Sequence, residues 1–314
     1  MIERVRGGGL AEIWTIWALL ALDATAIFTT YSRLSTSQLY HVSNSGLWGG
    51  ASRLLVFLCF PTALAAIGIL GFVADRVRGP LPSSLAAVAL VLCWSVAWPG
   101  VVDQAKLDFK WSNSIAAVGV GIVLGLTVAA SRRRASSPPA SRNGDRARAA
   151  IGMLLVLATI PYFAAELGFF LDGVPVLGSI FITGKRWPTV GAPAVAVHHG
   201  HHHGMDGFLL AATGLLLSRA LRALGSTRLR ALTALYATLL FVYGATNLVN
   251  DLWDEQITKR GWTHWTIPSV LQPSATAAWG AMLLAGLALY ALLYARRGYR
   301  PEGSTSSIHS DIGT

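Results

Sequence analysis

Residues 131–149 read "SRRRASSPPASRNGDRARA". This arginine-rich stretch decides the fold because of what stands on either side of it. The run 114–130 before it, "SIAAVGVGIVLGLTVAA", and the run 149–170 after it, whose core is "IGMLLVLATIPYFAAELGFF" (151–170), are almost wholly apolar. Each approaches the ~20 residues a helix needs to cross a bilayer. Working outward, six more runs of this kind stand at 10–30, 51–73, 84–102, 205–221, 231–249 and 275–294. The expected fold is therefore all-α: a polytopic integral membrane protein with eight transmembrane helices. Composition agrees. Hydrophobic residues make up 53% and charged residues 13%, half the charged share of an ordinary soluble domain, and the mean hydropathy is +0.52.

Arginine sets the orientation. Arg4 and Arg6 precede the first run, and Arg76 and Arg78 separate the second from the third. The 131–149 segment carries Arg132, Arg133, Arg134, Arg142, Arg146 and Arg148. Arg219, Arg222, Arg228 and Arg230 join the sixth and seventh runs, and Arg296, Arg297 and Arg300 follow the eighth. With eight spans these clusters all fall on one side, which the positive-inside rule makes cytoplasmic. Both termini are then inside. Arg33, Arg53, Arg186 and Arg260 fall on the other side, scattered. The net charge of +10 is thus an orientation signal facing anionic lipid, and no nucleic-acid partner is expected. The organisation reads as a first four-span half (1–130), a flexible basic cytoplasmic linker (131–149), a second four-span half (150–296) and a disordered cytoplasmic tail (297–314). The location is a cell membrane, multi-pass, with the lipid bilayer as first partner.

The groups that chemistry needs lie on the opposite, extracytoplasmic face. Asp103, Asp108, Glu166, Asp172, Asp206, Asp251, Asp254 and Glu255 map there, as do all four lysines and seven of the eight histidines. The densest stretch is "AVAVHHGHHHGMDG" (194–207). If Pro193 begins a helix, a favoured place for proline, then His199, His203 and Asp206 follow at i, i+4 and i+7, with His202 nearby. Two histidines four apart and a carboxylate suit one divalent metal: zinc, copper or iron. The competing readings are a loose His-rich loop and a proton-sensing role, since histidine titrates near neutral pH. On the same helix Gly200, Gly204, Gly207, Ala211 and Gly214 form a small-residue stripe suited to close helix–helix association.

Two further acids stand inside apolar runs, where ionisable groups are costly and face a cavity or another helix. Asp23 interrupts the first, and Glu166 lies on one face of the fifth with Thr159 and Tyr162. In the seventh, Tyr236, Tyr243, Asn247, Asn250, Asp251 and Asp254 share a face. Asp23, Glu166, Asp251 and Asp254 are the candidate acid/base residues. Cys59 and Cys93 read as small packed residues. "NDLWD" (250–254) is single, late in the chain and on the outer side, and "HHGHHH" has no companion His box, so neither defines a known metal or diphosphate chemistry. The expected function is an extracytoplasmic-facing polar, metal-binding cavity acting on a lipid-like or other apolar substrate. The alternatives are a cation or small-solute permease with a His-rich capture loop, and a non-catalytic membrane subunit docking through its glycine stripe.

Overall fold

The structure is a computed structural model, and it describes residues 9–39, 41–77, 79–103, 106–132, 144–169, 171–186, 193–197 and 203–295. Each expected apolar run lies on helix: α1 (Leu10–Arg33), α2 (Gly46–Cys59) with α3 (Pro61–Ala74), α4 (Pro80–Trp94), α5 (Trp111–Arg132), α6 (Asp145–Glu166), α8 (His203–Ala220), α9 (Thr227–Trp253) and α10 (Ala277–Tyr290). A one-turn α7 (Gly178–Phe181) precedes a small antiparallel ribbon of β1 (Ile182–Arg186) and β2 (Pro193–Val195). Among the described residues seven helices are long and apolar enough to cross a membrane. An eighth is added if α2 and α3 form one broken span.

Local chemistry sets several boundaries. Gly9 and Gly144, at φ 98° and 87°, start α1 and α6 from the left-handed region, which glycine enters without steric cost. Ser226 and Thr276 cap α9 and α10, accepting from the backbone N–H of Leu229 and Trp279 and so meeting orphan donors of the first turn. Pro61 lacks the N–H that a continuous helix needs, and α2 and α3 bend there by 41°.

One correction concerns the segment before α8. Pro193 lies in an extended strand paired with β1, so no helix begins there; backbone pairing outweighs proline's local preference for a helix start. The short ribbon leaves the all-α class as expected. His199, His202 and Gly200 lie outside the described residues, as do most of the linker and the tail.

α8 is the central helix. Its apolar stretch is 78% buried, against 11% for α10, 17% for α4 and 22% for α6, and it packs on α1, α3, α6 and α9. Closeness to α9 comes from glycine. A Cβ on Gly207 would lie 2.7 Å from the Gly244 carbonyl oxygen, and one on Gly244 would collide with the Ala211 nitrogen. The small-residue stripe is thus occupied within the chain, at Gly207 and Gly214 by α9 and at Gly204 by Asp251 and Tyr162.

Polar contacts tie the two ends of the bundle. At the arginine-rich end Arg219 pairs with Glu12 and with Asp145. Trp14 donates to Ser131 Oγ at 2.9 Å, Arg148 to Ser218 Oγ at 3.0 Å, and the Gly225 N–H to Asp75 at 2.7 Å. At the other end Arg33 donates to the Leu167 carbonyl at 3.3 Å and Gln272 to that of Val102 at 3.3 Å.

Candidate functional site: a buried carboxylate cluster

Four helices bring the site together. Asp23 comes from α1, Arg53 from α2, Glu166 from the last residue of α6 and Asp206 from the first turn of α8. All four are buried, with relative exposures of 0%, 2%, 0% and 4%. Asp23 interacts electrostatically with Asp206 and Arg53, Glu166 with Asp23, Arg53 and Asp206, and Arg53 with Asp206 and Glu166. Arg53 is therefore a cation with which, among the described residues, all three carboxylates interact. It also bonds to Tyr31, and its guanidinium lies 5.7 Å from that ring's centroid.

The chain builds this arrangement locally. In "GLWGGASR" (46–53) the glycines let α2 press onto α1: a Cβ on Gly50 would lie 2.6 Å from the Phe28 carbonyl oxygen. One turn on, Arg53 is carried to Tyr31. Glu166 is fixed because the end of α6 is bolted to the end of α1. Thr30 Oγ1 donates to the Glu166 carbonyl, and Gly168, at φ 78°, turns the chain beside Arg33, whose Nη2 lies 2.5 Å from where a Cβ would stand. Asp206 reaches inward between Gly204 and Gly207, the residues that let α8 approach its neighbours.

Asp206 and Arg53 open onto a cleft of about 30 Å³, enough for one or two water-sized groups. His203, Asn113 and Asp103 share its wall, and Val56, Phe60, Val101, Val102 and Leu271 make the rest largely apolar. Asp103 is engaged by Lys110 at 2.7 Å.

The structure gathers three of the sequence-predicted residues, Asp23, Glu166 and Asp206, and sets His203 on the cleft that Asp206 lines. Asp251 is also buried, at 5%, in a neighbouring group: a Cβ on Gly204 would meet its Oδ2 at 2.6 Å and the Tyr162 ring at 2.7 Å. Asp254 stands apart from the cluster, interacting with Asp251 and Lys259 and standing 3.5 Å from Asn250 Nδ2. Much of the seventh-run polar face is structural. Tyr236 donates to the Leu64 carbonyl and Tyr243 to that of Leu271, both at 2.7 Å, and Asn250 to that of Ile267 at 2.6 Å. Among the described residues no trio of His, Cys, Asp or Glu is arranged to hold a metal; His199 and His202 are outside that set.

Arg53 and Tyr31 are the site residues that sequence reasoning missed. The signal was present: Arg53 stands inside the apolar run 51–73, where a lone cation calls for acidic partners. Comparison with protein-family models, curated proteins and solved structures finds no match for the chain.

Proposed function

We propose that the protein is a multi-pass cell-membrane protein, both termini cytoplasmic, whose extracytoplasmic half holds a one-sided acid/base site for a lipid-like or other apolar substrate. Asp206 and Arg53 form the polar floor of the cleft, and Asp23 and Glu166 reinforce it electrostatically. The observation that carries this reading is the joining of a largely apolar cleft to three buried carboxylates on separate helices. Ligand sites commonly pair apolar walls with a few convergent polar groups. Orientation rests on the arginine clusters. The meeting of Arg219, Asp145 and Glu12 at one end of the bundle supports it.

A permease needs polar groups along a path to the far side. The buried hydroxyls of Thr127, Thr159 and Thr238 instead donate to carbonyls of their own helices, which favours a site open to one side. A subunit docking through the glycine stripe is disfavoured because α9 fills much of that face. One observation favours adding a divalent metal, zinc, copper or iron. His203 and Asp206, three apart on α8, line the same cleft, and a histidine–carboxylate pair is a partial ligand set. Metal stoichiometry lost in His203→Ala would support that addition, and an unchanged stoichiometry would remove it.

The test is a substrate search. The purified full chain, incubated with a total lipid extract and re-isolated, should retain or convert a defined amphiphile. A Glu166→Gln/Asp206→Asn variant of matched thermal stability should not. Identical lipid profiles for the two proteins would overturn the reading.

A further inference from the structure

The chain leaving α6 is apolar where a connection in water would be charged. Between Glu166 and Lys185 it carries a single charged residue, Asp172, whereas a stretch of that length in an ordinary soluble domain carries about four. It starts level with the end of the span. The Gly168 and Phe169 N–H groups donate back to the carbonyls of Ala165 and Ala164, at 3.0 and 2.8 Å, with Gly168 in the left-handed conformation that commonly ends a helix. Phe169 therefore stands beside the last turn of α6. It is exposed, and it continues past the helix end the apolar exposure of Leu154, Leu157 and Ile160.

The chain then closes into a tip. The Val174 N–H donates to the Leu171 carbonyl at 3.2 Å and the Gly178 N–H to that of Val174 at 2.8 Å. A Cβ on Gly178 would collide with the Asp172 carbonyl. Across Val176 the Leu177 N–H donates to the Pro175 carbonyl at 2.8 Å, and Val176 holds φ 68°. This is the rare, strained hand of γ-turn, taken by a β-branched residue that seldom enters positive φ. The turn leaves Val176 84% exposed, with Val174 and Leu177 exposed beside it. An apolar surface held out in this way calls for an apolar partner.

The neighbours of the tip indicate which partner. Arg260 donates to the Ser179 carbonyl and Gln256 Nε2 to that of Ile180 at 3.1 Å, which fastens the tip to the turn past α9. The Arg260 guanidinium lies 5.9 Å from the Trp262 ring centroid, and Trp262 and Trp265 are both exposed. Lys185 reaches Gly261 from the ribbon. Exposed tryptophan at a span end belongs at the lipid headgroup level, and cations beside it suit lipid phosphates. We infer that residues 171–178 are a lipid-embedded tip. Val174, Val176 and Leu177 enter the leaflet at the Glu166 end of the bundle, and Arg260, Lys185 and Trp262 form a rim at headgroup level.

The experiment uses the full chain in lipid nanodiscs, with a nitroxide spin label on a single introduced cysteine. Collisions with oxygen, which concentrates in lipid, are compared with those of a water-soluble nickel chelate. Val174→Cys and Val176→Cys should each give an oxygen-to-nickel ratio close to that of Leu157→Cys on α6. The ratio should be several-fold above that of Lys106→Cys, an exposed position on the α4–α5 connection. Either tip position carries the test if the other variant fails to fold. A ratio at the tip equal to that at Lys106 would place it in water and overturn the inference. Shielding from both reagents, with or without spin–spin broadening from a second copy, would overturn it in favour of a protein contact. Nickel access at Leu157 as well would overturn the membrane reading itself.

Discussion

Arg53 is the residue on which the carboxylate cluster depends. Asp23, Glu166 and Asp206 all face it, and it is 2% exposed. Removing one partner from a buried charge group leaves the others uncompensated, at a cost of about 3–5 kcal/mol. Arg53→Met should therefore lower the thermal unfolding midpoint sharply at neutral pH. Adding Asp206→Asn to it should recover part of the loss, because a charge is then removed from each side. A double variant no more stable than Arg53→Met would show that the cluster does not share its charge in this way. The acids were legible in the sequence because each interrupts an apolar run. Arg53 gave the same signal but was passed over, because a tally of arginine by side treats every arginine as a loop charge. Asp254 looked equivalent to Asp251 by helical spacing alone. Asp254 is a turn further along the chain, where it interacts with Lys259 as well as Asp251, and is less buried than the cluster acids.

At the scale of elements, helix length came through the sequence well, because ~20 apolar residues is a requirement of the bilayer. Shape within an element came through less well. The 51–73 run contains Pro61, the cause of the 41° bend, yet its apolar count is that of a straight span. The α8–α9 crossing yields a paired prediction. A Cβ at Gly207 would press on the Gly244 carbonyl and on the Leu248 nitrogen, each 2.7 Å away, whereas one at Gly121 meets nothing within 4 Å among the described residues. Gly207→Ala should cost about 1–3 kcal/mol through overpacking, read as a lower unfolding midpoint in detergent. Gly121→Ala should be neutral or slightly stabilising, since alanine is the better helix former. Equal effects would mean that the close crossing does not limit stability. The connection between α1 and α2 holds a pH-dependent clamp. Burial raises the Asp108 carboxyl, but hydrogen bonds from the side chains and backbone of Ser43 and Asn44 outweigh it and hold the group below its ordinary value; Asn44 Nδ2 stands 2.7 Å from Oδ1. The folded value is thus lower than the unfolded one, about 3.9. The clamp is at full strength above that value and weakens as pH falls through the lower, folded one. Protection of the Ser43 amide, its exchange measured against the intrinsic rate at each pH, should be high near neutrality and fall in that acid range. In Asp108→Asn protection should be low throughout, and an unchanged profile would show that the carboxylate does not hold the loop.

At the scale of the whole molecule, arginine placement makes a prediction about orientation that labelling tests. Both native cysteines are free and buried, so the chain has a low background for thiol labelling. In intact cells a membrane-impermeant maleimide should label Trp262→Cys, an exposed position in the loop before α10. Arg132→Cys, at the end of α5, should react only after lysis. The reverse pattern would invert the chain and move the carboxylate site to the cytoplasmic half. The sequence could not supply the mutual placement of helices that gathers Asp23, Arg53, Glu166 and Asp206. Periodicity fixes which face of a helix a residue occupies, but not which other helix that face meets.

The enclosed position of α8 also has a consequence for biosynthesis. The helix at the centre of the bundle leaves the ribosome after α1, α2 and α6. Until it arrives, Asp23, Arg53 and Glu166 border a gap that lipid must fill, an expensive neighbour for ionisable groups. The α8–α9 hairpin, joined by a connection of only a few residues (221–226), then enters as a keystone that closes an otherwise unfinished arch. A nascent chain halted before residue 203 is a natural target for membrane quality control. In a pulse-chase it should decay faster than one halted after residue 258, and equal lifetimes would show that the early helices hold together without their centre.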